Sequence, residues 1–158
     1  MRVLYSFIVL IFLAPIVWGC KDSRVSVDIV GNRKVASPYQ TREVSLRITN
    51  NSGCSIFVKG VQVSSFFPIT TYLRRYPQER KWESPLGGSR IPKYEDLSGS
   101  EYDDLELKSG DSIEFTSLTG DSDRSVKLKI VIYASIGNSK AKPQSIVSPV
   151  FFFNGQLD

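Results

Sequence analysis

Carboxylate side chains are concentrated in one segment of the chain, residues 95–111. Six of them fall within its first twelve positions: Glu95, Asp96, Glu101, Asp103, Asp104 and Glu106. Oxygen ligands of this kind bind calcium without histidine, and two carboxyls with different pKa values can act as the acid and the base of a hydrolase. The EF-hand spacing, the Gly-x-Ser-x-Gly motif and a glycine-rich phosphate loop do not occur. The preferred interpretation is a solvated acidic loop, with a calcium-binding module or a carboxylate-dependent hydrolase as the alternatives.

Aromatic rings interleaved with arginines form a second group of candidate residues. Tyr76 and Trp82 lie among Arg74, Arg75 and further charged residues, and Tyr, Trp and Arg dominate the hot spots of protein interfaces. We therefore predict a contact surface for a protein or glycan partner in the 72–102 loop. The alternative is that these rings only anchor a long loop to the domain, which is the preferred interpretation for three of their neighbours: Phe66, Phe67 and Tyr72.

Composition excludes several classes of function. The chain contains no histidine, so histidine-ligated metal sites and Ser-His or Cys-His nucleophiles are excluded. A formal charge of +4 arises from 20 basic and 16 acidic residues without dense Lys/Arg blocks, which argues against a nucleic-acid partner. We expect no cofactor and no catalytic activity.

The first residues have the pattern of a secretory signal peptide. Arg2 precedes an apolar run, Val3–Val17, and a small residue, Gly19, follows it. A membrane anchor is the alternative, but a spanning helix needs about 20 apolar residues. The sequence thus predicts a signal peptide at 1–19 and one domain at 20–158, a length typical of a single core.

The cysteine at the cleavage point admits two outcomes. Val17-Trp18-Gly19-Cys20 resembles a bacterial lipobox, although Trp18 is bulky for that motif. Lipidation of Cys20 is the favoured expectation and would anchor an exported envelope protein to the membrane. Because Cys54 is the only other cysteine, the alternative is a disulfide in a periplasmic or secreted protein. The two outcomes exclude each other.

Period-two alternation predicts strands through most of the domain. It is clearest in Ser125–Ala134, where apolar residues alternate with lysines, which favours an antiparallel sheet with a wet outer face. Seven or eight strands are expected, in segments 24–30, 43–50, 54–63, 66–72, 105–107, around 113–115, 125–134 and 146–153.

Turn residues predict how these strands are connected. Gly31-Asn32 indicates a turn after the first strand, and Asn50–Gly53 indicates a hairpin between the second and third. Gly60 inside the third strand indicates a bulge. The sequon that begins at Asn50 is interpreted as turn chemistry. Proline and glycine make residues 64–104 an irregular insert.

Three segments carry a resemblance to a group of proteins: Ser45–Ser52, Leu107–Phe115 and the strand that ends in Ile132-Tyr133. They resemble segments of uncharacterised bacterial exported proteins, in which a strand closing in "TNNS" is followed by a glycine-containing turn. The resemblance implies an immunoglobulin-like β-sandwich and no known activity. The expectation is therefore an all-β, non-catalytic envelope lipoprotein that acts as a binding or structural module.

Overall fold

The computed structural model describes residue 20 and the ranges 24–34, 42–84, 91–97, 102–119 and 126–152. The signal peptide predicted at 1–19 lies outside them. In chain order the described elements are β1 (Val25–Lys34), β2 (Arg42–Asn50), β3 (Ile56–Gln62), β4 (Phe66–Pro68), β5 (Thr70–Arg75), α1 (Tyr94–Leu97), β6 (Asp103–Leu107), β7 (Ser112–Thr119), β8 (Lys127–Ile136), β9 (Gln144–Val147) and β10 (Phe151–Phe152).

Two antiparallel sheets pack face to face. The smaller sheet has the order β1-β2-β7, and the larger one contains the other seven strands. Their facing sides share one apolar core, to which β2 contributes Leu46 and Ile48 and β8 contributes Leu128 and Ile130, all at most 1% exposed. The predicted all-β antiparallel sandwich is confirmed, with ten described strands in place of seven or eight. The immunoglobulin-like form of the sandwich stays a prediction. Among the described residues no helix is long and apolar enough to span a bilayer.

Strand β8 is the centre of the larger sheet. One of its edges pairs with β5 and then β3, and the other pairs with β10 and β9. Its alternating apolar residues are buried as the sequence predicted, because they face the smaller sheet. The remaining residues of β8 face away from the smaller sheet, on what we call the outer face.

The connection from β2 to β3 is not the predicted hairpin, because these strands belong to different sheets. Asn50 organises this crossing: its amide donates to the carbonyls of Cys54 and Leu107 at 2.7 and 2.8 Å, and its Oδ1 accepts from the N–H and hydroxyl of Ser52 at 3.0 and 2.7 Å. The Asn50 side chain is fully buried. It therefore acts as turn chemistry, as predicted, and is not available for glycosylation.

Two predictions about glycines were wrong: Gly31 does not form a turn, and Gly60 does not form a bulge. Strand β1 continues through Gly31, and its register with β2 shifts between Ile29 and Gly31. Gly60 carries no bulge, because it pairs with both Pro68 and Asp103. A Cβ at Gly60 would lie 2.3 Å from the ring of Phe66 and 2.6 Å from the backbone oxygen of Phe67, so any larger residue at this position forces its neighbours to move.

The last predicted strand, 146–153, is interrupted. Between β9 and β10 the chain is no longer paired with β8 as a regular strand. Ser148 satisfies the backbone of Ile130 there: its hydroxyl accepts a hydrogen bond from the Ile130 N–H at 2.9 Å, and its own N–H donates to the Ile130 carbonyl at 2.8 Å. The insert 64–104 is more regular than predicted, because it contains β4, β5, α1 and the start of β6.

Candidate binding surface on the outer face of the larger sheet

The outer face of β8 is partly covered, contrary to the wet face that the sequence predicted. Val131 and Tyr133 are at most 1% exposed and pack with Leu73 of β5. Trp82 and Tyr94, both from the insert, pack against this second apolar cluster. The insert thus covers the outer face of β8 at Val131 and Tyr133. Lys127 and Lys129 lie nearer the start of the strand.

Trp82 gathers two cations at the boundary of the covered region. The Arg75 guanidinium lies 4.9 Å from the centre of the indole ring, and the Lys129 ammonium lies 4.8 Å from it. We call these three residues the Trp82 cluster. Cation–π contacts at partly exposed sites contribute about 0.5–1 kcal/mol each. Among the described residues neither Arg75 nor Lys129 has a carboxylate within salt-bridge distance.

Backbone pairing brings Trp82 to this position. After β5 the chain reverses through a turn in which the N–H of Glu79 donates to the carbonyl of Tyr76 at 3.0 Å. It then returns antiparallel to β5, where Arg74 and Glu83 exchange two backbone hydrogen bonds of 2.9 and 2.8 Å. Trp82 is next to Glu83, so this bridge holds the indole beside the outer face of β5.

A third cation extends the cluster along the sheet. Lys127 lies directly opposite Arg75 in the β5–β8 ladder, and its ammonium lies 4.9 Å from the ring centre of Phe152. Like charges placed opposite each other across two strands are destabilising. Each cation of this pair is instead associated with its own aromatic ring.

The four predicted contact residues do not form one surface. Arg75 and Trp82 are on the outer face, whereas Tyr76 packs against the core between the sheets. Arg74 lies opposite Leu128 and so shares that inner side, with its guanidinium 5.4 Å from the Tyr76 ring centre. The four residues are therefore divided between two sides, since strand alternation turns neighbouring residues to opposite sides. A partner contact through Tyr76 and Arg74 stays a prediction.

Sequence reasoning missed Lys127, Lys129 and Phe152 as members of this surface. The two lysines were interpreted only as keeping the face wet, because alternation shows which side a residue faces but not what lies opposite it. A possible signal was the triplet of aromatics that begins at Phe151. Alternation along that triplet places one ring in the core and the next on the outer face.

The described acidic residues are dispersed and engaged separately. Glu95 pairs with Lys142 at 3.3 Å, Asp104 pairs with Lys59 at 2.6 Å, and Glu106 accepts from a serine hydroxyl. Asp103 accepts a hydrogen bond from the backbone N–H of Gln62 at 2.8 Å. The side chains of the remaining two, Asp96 and Glu101, lie outside the described residues. In the part of the chain with described side chains, no three potential metal ligands converge.

The two cysteines form a disulfide, with Cα atoms 5.6 Å apart. Cys54 lies in the crossing between the sheets, so the bond attaches the residue at position 20 to the sandwich. The sulfur of Cys20 lies close to Gly137, since a Cβ atom placed on Gly137 would be 3.2 Å from it. A sulfur in a disulfide cannot carry a thioether lipid. The structure describes the disulfide form, and lipidation of Cys20, which the sequence favoured, stays a prediction.

Comparisons with known proteins leave the function open. No family model matches the chain, and no curated protein matches it. Among solved structures it is similar to a protein from Bordetella pertussis named "Putative ApaA Protein", with 16% identity, a TM-score of 0.44, and coverage of 80% of this chain and 88% of the other. This likeness carries no functional argument, so the function is argued from the surface alone.

Proposed function

We propose that this protein is a non-catalytic, exported binding module whose outer face binds an anionic glycan through the Trp82 cluster. The observation that carries the proposal is the pair of cations, Arg75 and Lys129, held on one indole without a carboxylate partner among the described residues. A third basic residue, Lys127, lies opposite Arg75 in the β5–β8 ladder. Like charges opposite each other destabilise a sheet, and a bound anion would relieve this repulsion.

The geometry suits carboxylate, sulfate or phosphate groups on a flexible chain. A guanidinium stacked on an aromatic ring keeps its planar fork of donors for bidentate contact with such groups. Stacking also restricts the long side chain before binding, which lowers the entropy lost when the ligand arrives.

A glycan fits this face better than a folded protein. Protein interfaces are built around apolar anchors at their centres, and the one ring of the cluster, Trp82, already has two cations against it. The large apolar side chains that are exposed in the described ranges are Val30, Val61, Val63, Phe67 and Ile91, and none belongs to the cluster. An acidic sugar chain needs no such anchor, because its charges and hydroxyls supply the contacts.

The test is binding to an immobilised acidic polysaccharide, polygalacturonate, with dextran as the neutral comparison. We expect retention on polygalacturonate that weakens as salt rises, because screening shortens electrostatic reach to about 8 Å at physiological ionic strength. Arg75→Gln and Lys129→Gln should each weaken binding about tenfold, which corresponds to about 1.4 kcal/mol.

The matched control is Lys108→Gln, which removes one exposed positive charge from the turn between β6 and β7. It should leave binding nearly unchanged. Equal losses in all three variants would mean that only net charge matters, and the Trp82 cluster would not be a site. Tighter binding to polyglutamate than to polygalacturonate would point to an acidic protein partner and overturn the glycan proposal.

Export is part of the same proposal. A disulfide between the two cysteines is the state expected in an oxidising compartment, and the leader-like residues 1–19 agree with secretion. Intact mass measurement of the mature protein separates the alternatives. A chain that begins at Cys20 and lacks two hydrogens supports the disulfide form, and a diacylglyceryl mass would instead establish the lipoprotein.

A further inference from the structure

Strand β6 forms an edge of the larger sheet. All five of its residues pair with β3, from Asp103 opposite Gly60 to Leu107 opposite Ile56. In the part of the chain that the structure describes, no second strand pairs with β6. Alternate residues of an edge strand direct their N–H and C=O groups away from the sheet. The edge of β6 therefore offers backbone donors and acceptors over about 17 Å, at about 3.3 Å per residue.

The edge of β6 lacks the features that interrupt other edge strands of this protein. Natural sheets protect their edges from pairing with bulges, prolines and lysines. The register of β1 with β2 shifts between Ile29 and Gly31, and Pro149 lies in the break between β9 and β10. Strand β6 has a continuous register with β3 and contains neither proline nor lysine. Its backbone is therefore suited to pair with one more strand.

Alternation along β6 gives its two sides different character. Leu107 belongs to the core between the sheets, and Leu105 packs against that core. Asp104 and Glu106 alternate with these leucines, so they lie on the outer face. Asp104 is paired there with Lys59, the residue opposite it, at 2.6 Å. An added strand would thus meet an apolar residue on one side and a carboxylate on the other.

Two carboxylates of β6 have only neutral hydrogen-bond donors. Asp103 accepts from the backbone N–H of Gln62 at 2.8 Å, and Glu106 accepts from the hydroxyl of Ser55 at 2.6 Å. Both residues are exposed. Within the described ranges, neither has a basic side chain at salt-bridge distance. A strand that carries basic side chains complements this edge.

A second copy of β6 does not suit the same edge. In an antiparallel pair of two β6 strands centred on Leu105, Asp104 of each copy would lie opposite Glu106 of the other. Like charges placed opposite each other across two strands are destabilising. The carboxylates therefore disfavour self-pairing and favour a partner of opposite charge.

We propose that β6 binds an extended basic segment of a partner protein, which adds to the larger sheet as a further strand. Backbone hydrogen bonds to β6 supply the affinity, and alternate side chains supply the specificity. Basic residues of the segment face Glu106 on the outer face, and its apolar residues lie beside Leu105, which is partly buried. This inference does not rest on the proposed function, because the Trp82 cluster uses β5 and β8.

The probe is a capped heptapeptide of alternating lysine and valine, added to the uniformly ¹⁵N-labelled, oxidised mature protein while amide resonances are followed by NMR. We expect saturable shifts at Leu105 and Glu106, and slower hydrogen exchange of the β6 amides that point to the free edge. A peptide with glutamate in place of lysine should bind at least tenfold more weakly, because its charge is repelled. A lysine–valine peptide methylated on every backbone nitrogen should also bind at least tenfold more weakly, because it cannot donate backbone hydrogen bonds.

Glu106→Gln is the deciding variant, because glutamine removes the charge and keeps an oxygen that can accept from the Ser55 hydroxyl. It should weaken binding of the lysine–valine peptide about threefold, as expected for the loss of an exposed ion pair. The matched control is Asp28→Asn, which removes an exposed carboxylate from β1, an edge strand of the smaller sheet. It should leave binding unchanged.

Four results would overturn the proposal: no saturable shifts, shifts confined to strands other than β6, an unchanged affinity in Glu106→Gln, or equal affinity for either comparison peptide. Equal binding of the methylated peptide would mean that charge alone attracts the probe, and equal binding of the glutamate peptide would mean that charge plays no part. Arg75→Gln should not alter binding of the lysine–valine peptide, which distinguishes a failure here from a failure at the Trp82 cluster.

Discussion

Replacing Asn50 by alanine tests how the two sheets are joined. The Asn50 side chain bridges two separate connections between the sheets, since it donates to Cys54 in the β2–β3 crossing and to Leu107 before β7. The backbone reinforces the same junction: the N–H of Asn50 donates to Asp111 at 3.0 Å, and the N–H of Gly110 donates to Asn50 at 2.7 Å.

The magnitude follows from the groups that lose their partners. Alanine removes both amide donors and the acceptor that receives the Ser52 N–H at 3.0 Å. The Cys54 carbonyl still accepts a hydrogen bond from the Ser52 hydroxyl at 3.1 Å. The Leu107 carbonyl and the Ser52 N–H are therefore the two groups that lose the hydrogen bond they make with the Asn50 side chain. Leaving a buried polar group unsatisfied costs about 1–3 kcal/mol. We therefore expect a loss of about 2–5 kcal/mol from a total of about 5–15 kcal/mol.

Urea unfolding of the oxidised protein, followed by tryptophan fluorescence, measures this loss. With a slope of about 2 kcal/mol/M, the loss of about 2–5 kcal/mol should lower the midpoint by about 1–2.5 M. Asn51→Ala is the control, because Asn51 is exposed and its backbone hydrogen bond to Arg24 survives the change. It should shift the midpoint little. A cost below about 1 kcal/mol for Asn50→Ala would refute the bridging role, since a single exposed bond would explain it.

Three further outcomes are expected. Reducing the disulfide, or Cys54→Ser, should lower the free energy of unfolding by about 3–4 kcal/mol, because the bond closes a loop with a separation of 34 residues; unchanged thermal unfolding under reductant would contradict this. Gly60→Ala should destabilise by about 1–3 kcal/mol through overpacking on the Phe66 ring, and Phe66→Leu should recover part of that loss in the same urea assay. The pKa of Glu95 is lower in the folded protein, so its ionised carboxylate stabilises the fold above the pKa of the unfolded chain, and this stabilisation is lost as pH falls through the folded pKa. In an NMR titration, Lys142→Gln should move the folded pKa of Glu95 only part of the way back to its ordinary value, because the backbone hydrogen bond is the larger cause of the shift.

Alternation in the sequence determined the strands and the side of the sheet that faces the core. Val44, Leu46 and Ile48 in β2, and Leu128 and Ile130 in β8, are buried as the pattern predicted. This was possible because the period of two is a local property of an extended chain, and burying one stripe of apolar residues is enough to orient it.

The tertiary structure alone decided which strands are neighbours. The turn residues around Asn50 suit a hairpin, yet β2 and β3 separate into different sheets because side-chain hydrogen bonds from Asn50 stabilise a crossing there. Likewise, Gly31 suits a turn, but the ladder with β2 absorbs the irregularity and β1 continues. Turn chemistry specifies local backbone conformation and leaves the pairing partner open.

For the candidate surface too, the sequence determined the residue types and the tertiary structure determined their assembly. Its residue types, Arg75 and Trp82, could be selected from the sequence because charge and aromatic character belong to single residues. Their assembly with Lys129 could not, since it depends on the register of β5 against β8 and on the return of the chain at Glu83. The sequence determined which side chains are able to bind, and non-local pairing between strands determined which of them stand together.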